Sequence, residues 1–207
     1  MTSNLPAEYE ALYTQALAPI AIELESHLRH ILDGVERIDR ISCRAKTLYS
    51  FINKALKCDD DGNQKYSNPL KQIQDQIGAR ITVFYLSDID IVKSRINYYL
   101  TSIEWVEKKP ESDMEFSYFG EHYVIKIPED AVPDGLEDLA PEFFELQIKT
   151  LFQHAWSESS HDLAYKAPRK LTSMERRNLA LSAAQAWGAD QVFNMLGRSI
   201  MSKEPTN

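Results

Sequence analysis

The stretch "FFELQIKTLFQHAWSESSHDLAYK", Phe143 to Lys166, decides how the chain is read. Its first seven residues alternate. Phe144, Leu146 and Ile148 point to one side of an extended strand, and Glu145, Gln147 and Lys149 to the other. A core strand needs no carboxylate, amide and amine on one face, so that face points to a binding site. An edge strand with one wet face would show the same pattern. The strand then runs into a helix from about Thr150 to Leu163, whose His154, Glu158, His161 and Tyr165 share one side. The polar side would line whatever Glu145 faces, while Trp156 and Leu163 pack.

Outward from this stretch, β-branched and aromatic runs predict further strands. They are "ARITVFYL" (79–86), 103–107, 122–127 and, less regularly, the extended segment 35–43. Residues 6–33 read as helix in two segments divided near Pro19, with Ile20, Leu24, Leu28 and Leu32 as the apolar stripe. Residues 46–56 read as helix, Pro69 opens a short one, and Ser87 caps another that turns Ile91, Ile96 and Tyr99 inward. Thr172 and Glu175 form a capping box for a last helix through Leu196. Helices first, then strands alternating with helices, predict one α/β domain over 1–207 with helical additions at 6–33 and 172–196.

The 207 residues are 43% hydrophobic, enough for one sizeable core. A net charge of −8 argues against nonspecific coating of nucleic acid, so a phosphate site must be a local cluster of cations. Two cysteines, Cys43 and Cys58, make neither a metal spacing nor a disulfide framework, which fits a reduced, cytoplasmic setting. The acidic start lacks a signal-peptide pattern, and no apolar run approaches the ~20 residues that span a bilayer, so no membrane partner is expected.

Chemistry concentrates in three further places. In "RAKTLYSFINK", a helical reading puts Lys46, Ser50 and Lys54 at i, i+4 and i+8 with Arg44 at the entrance, a set suited to a polyphosphate or to a solvated face. In "DQIGARI", Asp75 would hold a metal ion bridging phosphate oxygens, and Arg80 would stack on a base or pair with a phosphate. The alternative is an Asp75–Arg80 ion pair. Glu145 opposite Asp75 would complete the carboxylate pair of metal-assisted phosphoryl chemistry. His154 and His161 lie seven apart, which is not the spacing of zinc proteases, and "HD" at 161–162 lacks the other ligands of a phosphohydrolase.

Taken together, R-x-K-x3-S-x3-K, D-x2-G-x-R-I, E-x-Q-I-[RK]-T and a helix ending in H-x3-YK resemble the synthetase domain of RelA/SpoT proteins. The resemblance covers about 35–166 and is closest to the small alarmone synthetases. It implies a nucleotidyltransferase-like fold, a mixed sheet of about five strands flanked by helices. It also implies transfer of the β,γ-diphosphate of ATP to the ribose 3′-hydroxyl of GDP or GTP, making (p)ppGpp with Mg2+. On that resemblance Arg44, Lys46, Ser50 and Lys54 clamp the ATP phosphates and Arg80 stacks on adenine. Asp75 and Glu145 hold the metal, and Glu145 is the candidate base. Tyr118, His122, Gln147, Lys149 and His154 would bind the acceptor.

One segment departs from the pattern. Where the family reads G-Y-R-S-x-H, this chain has "SYFGEH" (117–122), with Phe119 for arginine and an added charge at Glu121. Lys108, Lys109 and Lys126 are candidates to supply the missing cations. The departure keeps two other readings open, a toxin-like relative that modifies the tRNA 3′ end or an adenosine nucleotide, and a catalytically dead binding module. The toxin reading would bring a neutralising antitoxin, and the Arg169, Lys170, Arg176 and Arg177 cluster would be the tRNA patch. Leu179, Ala183, Ala186 and Trp187 on the last helix would serve either a homo-oligomer, as in the family's tetramers, or the domain's own core.

Overall fold

The computed structural model describes residues 4–108, 112, 115–117, 120–165 and 167–201, with only the backbone of 108, 164 and 165. Five strands form one sheet in the order β1-β2-β5-β4-β3. They are β1 (Ile38–Ala45), β2 (Ile77–Val83), β3 (Ser102–Lys108), β4 (Gly120–Lys126) and β5 (Phe143–Thr150). Only β2 and β5 pair in parallel, so the sheet is mixed, as expected. The helices are α1 (Leu5–Leu12), α2 (Ala18–Ile31), α3 (Leu48–Ala55), α4 (Pro69–Gln72), α5 (Leu86–Tyr99), α6 (Leu151–Tyr165) and α7 (Ser173–Met201).

The division expected near Pro19 takes the form of a π turn, Tyr13–Leu17, in which Ala18 N–H bonds back to Tyr13 O. The turn joins α1 and α2 without a break, because proline's missing N–H is absorbed where the ladder already shifts. Ile20, Leu24 and Leu28 of α2 are fully buried beside Leu146 and Ile148 of β5 in one core. The outer edge of β1 is covered by α2. Glu25 Oε2 accepts from Cys43 N at 3.0 Å, and Arg29 Nη2 donates to Ile41 O at 2.8 Å. An otherwise open strand edge is thereby satisfied.

Three expectations change. Lys46 is not on the helix: Thr47 is the N-cap of α3, its Oγ1 accepting from Ser50 N, and Lys46 lies before it. The N-cap of α5 is Tyr85 rather than Ser87, because Asp88 reaches back to accept from Tyr85 N at 3.0 Å. On α5, Ile89, Val92 and Ile96 face inward at i, i+3 and i+7, while Ile91 and Tyr99 fall off that stripe and are exposed. The Thr172–Glu175 capping box forms as read, and α7 runs five residues past Leu196. Among the described residues no helix is long and apolar enough to cross a membrane.

Candidate active site

The register of β1 on β2 pairs Arg44 with Gly78 and Ala45 with Ile77. One step further, Lys46 N donates to Gln76 O at 2.8 Å. The pairing thus carries Lys46 past the strand end and beside Asp75. From the other side, Tyr9 stacks on Phe51 with ring centroids 3.7 Å apart and donates its hydroxyl to Lys46 O at 2.7 Å. An N-terminal helix, α3 and the β1 exit therefore lock one lysine in place.

Asp75 Oδ2 accepts Lys46 Nζ at 2.8 Å and Lys54 Nζ at 2.9 Å. Its Oδ1 is buried and has no hydrogen-bond partner among the described residues. Asp75 pairs with the lysines and not with Arg80. Parallel pairing of β2 on β5 sets Gly78 opposite Glu145. Asp75 and Glu145 thus line one cavity of about 210 Å³ with Arg44, Lys46, Ser50 and Arg80. A Cβ added at Gly78, on the same wall, would meet nothing within 4 Å. That glycine leaves the strand surface bare for a ligand to approach.

Glu145 lies 3.1 Å from His122 Nδ1, and its Oε2 accepts from Gln147 Nε2 at 3.0 Å. Burial pushes its carboxyl up, but the hydrogen bonds from His122 and Gln147 and the nearby positive charge win, holding it at about 2. It is a carboxylate at any physiological pH. Lys149 is buried and donates to Ser157 Oγ at 3.0 Å. Burial, with Arg80 nearby, brings its ammonium down to about 7.

Arg80 is gripped by α6, donating to Glu158 Oε1 at 2.8 Å and to His154 Nδ1 at 3.1 Å. Burial, and Arg80 next, keep His154 below its ordinary value, so the neutral ring accepts that bond. The polar side of α6 thus meets the face of β5 that carries Glu145. Trp156 packs as expected, donating to Ser182 Oγ at 3.0 Å, whereas Leu163 is exposed. Tyr165 lies outside the described side chains.

A second, wider opening of about 680 Å³ continues the first and shares Arg44, Arg80 and Gln147 with it. His122, Lys149, His161 and Phe116 line it, together with Arg176 from α7. Tyr118 and Phe119 lie outside the described residues. Glu121 does not add its charge here. Alternation along β4 sends His122 to this side, and Glu121 to the opposite face, where it pairs with Lys93 at 2.9 Å and with Trp105 Nε1. Nor does Lys126 supply a cation, since it is exposed beside Phe143 at the far end of β4. Lys109 lies outside the described residues, as does the side chain of Lys108. Sequence reasoning missed Thr47, Phe116 and the site-facing role of Arg176. Only Thr47 left a signal, a cap residue three before Ser50.

Two carboxylates, one with an unpartnered buried oxygen, suit Mg2+, which takes one or two protein carboxylates and completes its shell with phosphate and water.

The sequence pattern described as "Region found in RelA / SpoT proteins" matches residues 43–170. The chain belongs to the RelA/SpoT family. It is 24% identical over 199 residues to the GTP pyrophosphokinase YjbM of Bacillus subtilis (strain 168), covering 93% of this chain and 88% of that one. A GTP pyrophosphokinase family protein from Streptococcus pneumoniae shares the fold with a TM-score of 0.71 at 20% identity, over 97% of this chain and 96% of that one. Small alarmone synthetase 1 of Bacillus subtilis, bound to its product pppGpp, matches with a TM-score of 0.70 at 20% identity, over 97% and 100%.

Proposed function

We propose that the protein is an ATP-dependent pyrophosphokinase that makes (p)ppGpp from GDP or GTP. The observation that carries this reading is the joining of two cavities through Arg44, Arg80 and Gln147. One holds cations against a carboxylate pair; the other is large enough for a nucleoside. A family relative named as a GTP pyrophosphokinase and a fold relative bound to pppGpp support it.

In this reading Arg44, Lys46, Ser50 and Lys54 bind the ATP phosphates, which compete with Asp75 for the two lysines. Arg80 stacks on adenine or pairs with phosphate, held in place by Glu158 and His154. Lys149, His122 and Gln147 receive the acceptor, with His154 and the base-stacking Tyr118. Asp75 and Glu145 hold Mg2+, which would neutralise charge developing on the diphosphate. The acceptor's 3′ oxygen attacks the β-phosphorus, the bond from that phosphorus to the α,β-bridging oxygen breaks, and AMP leaves with that oxygen. Glu145 orients the hydroxyl and takes up its proton. At about 2 it is a weak base, so orientation is its larger contribution.

The exposed apolar residues of α7, including Leu181, Met195 and Leu196, support self-association into a homo-oligomer. The test of function is transfer of label from γ-labelled ATP with Mg2+, offering GDP, GTP, AMP, ADP and tRNA separately. Label in a guanosine tetra- or pentaphosphate is expected. Label only on tRNA or an adenosine nucleotide would reassign the acceptor, and no transfer at all would refute the enzyme.

A further inference from the structure

A separate cavity of about 300 Å³ lies between α5, the β3–β4 edge, α6 and α7. It shares Ser117 and Trp156 with the acceptor-side opening, so an occupant would sit close to that opening. Trp187 supplies a second indole. Asp190 and Glu121 line its inner walls, and Asp90 and Glu107 its exposed rim, and among the described residues no Lys, Arg or His lines it. The phosphate site, by contrast, sets cations against its carboxylates.

Asp190 is the informative residue. It is only 3% exposed, and Oδ2 accepts from Thr150 Oγ1 at 2.8 Å. Oδ1 is buried with no hydrogen-bond partner among the described residues. A buried carboxylate oxygen left unpaired is costly. Burial raises the group to about 6, only partly opposed by Thr150. Protonation would remove the charge but still leave one of the two oxygens without a partner. An incoming cation would resolve it.

The neighbourhood already holds one ammonium in this manner. Lys93 Nζ lies 2.9 Å from Glu121 Oε1 and 5.0 Å from the centre of the Trp105 ring. A carboxylate on one side and an indole face on the other is a favourable setting for an alkylammonium. A metal ion fits less well. The indole walls offer it no oxygen ligand. The acidic lining among the described residues disfavours an anion.

We propose that this cavity binds a small organic cation of the aliphatic-amine class, its ammonium received by Asp190 and the indole of Trp187. The test is isothermal titration of the nucleotide-free, full-length protein with putrescine at physiological ionic strength. The neutral 1,4-butanediol, of the same length, is the control, and tryptophan fluorescence is followed in parallel. Saturable binding of putrescine with a fluorescence change is expected, with none for the diol. Asp190→Asn and, independently, Trp187→Leu should each weaken it at least tenfold in protein that still unfolds cooperatively. Trp187 is 43% exposed, so its replacement tests the site even if Asp190→Asn fails to fold. No saturable binding, or equal affinity in parent and foldable variants, would overturn the proposal. Because no nucleotide is present, either result is independent of the pyrophosphokinase reading.

Discussion

The cavity at the β1–β2–β5 end and the cavity under α7 are opposite solutions to placing charge in one small acidic protein. In the first, cations and carboxylates are gathered together, and Asp75 already neutralises Lys46 and Lys54. In the second, carboxylates gather with indoles and Asp190 keeps an unpaired oxygen. A chain with net charge −8 can bind polyphosphate only by such segregation.

Breaking the first cavity should have the largest effects. Glu145→Gln keeps the size and the Gln147 contact but removes the charge, and kcat should fall by about 10³-fold, measured by product formation with an unchanged thermal midpoint. A Cβ at position 78 meets nothing within 4 Å, so Gly78→Leu is compared with the parent at matched thermal midpoint. It would occupy the ligand's space, so kcat/KM for ATP should fall on the order of 10²-fold. A smaller loss would move the polyphosphate away from this wall.

Lys149 gives the pH dependence. Its folded value of about 7 lies below the ordinary 10.5, so folding disfavours its charged form. Its penalty is full below about pH 7 and is relieved as pH rises from about 7 towards 10.5. Binding of an anionic acceptor needs the charged form. Hence kcat/KM for the acceptor should fall up to about tenfold per pH unit above that value, and the limb should vanish in Lys149→Met. The smallest effect separates the two cavities. Glu121→Gln should cost about 1 kcal/mol of stability through Lys93 yet leave acceptor kinetics within about twofold, since its carboxylate lies on the far face of β4. A larger kinetic change would mean that the faces are coupled.

Much of the first cavity is legible in the sequence because period-two alternation is a local signal. Glu145, Gln147 and Lys149 declare their common face, and the order of the four motifs declares the family. What depends on boundaries is less legible. Lys46 lies off the helix because Thr47 takes the cap, yet it still reaches Asp75 through strand register. Glu121 beside His122 looks like one charged cluster until the strand sends the two to opposite faces. The second cavity is hidden for a different reason. Asp190 is a lone aspartate on a helix, and its meaning comes from Thr150, forty residues away. No local pattern encodes such a pairing.

The most direct test of the central claim is the fate of ATP in a reaction with GDP and Mg2+, read by ³¹P NMR or mass spectrometry of the products. One AMP is expected for each GDP consumed, with a diphosphate on the 3′ oxygen, and both products should fall together by about 10³-fold with Glu145→Gln. Release of ADP, or ATP hydrolysis without consumption of GDP, would contradict it.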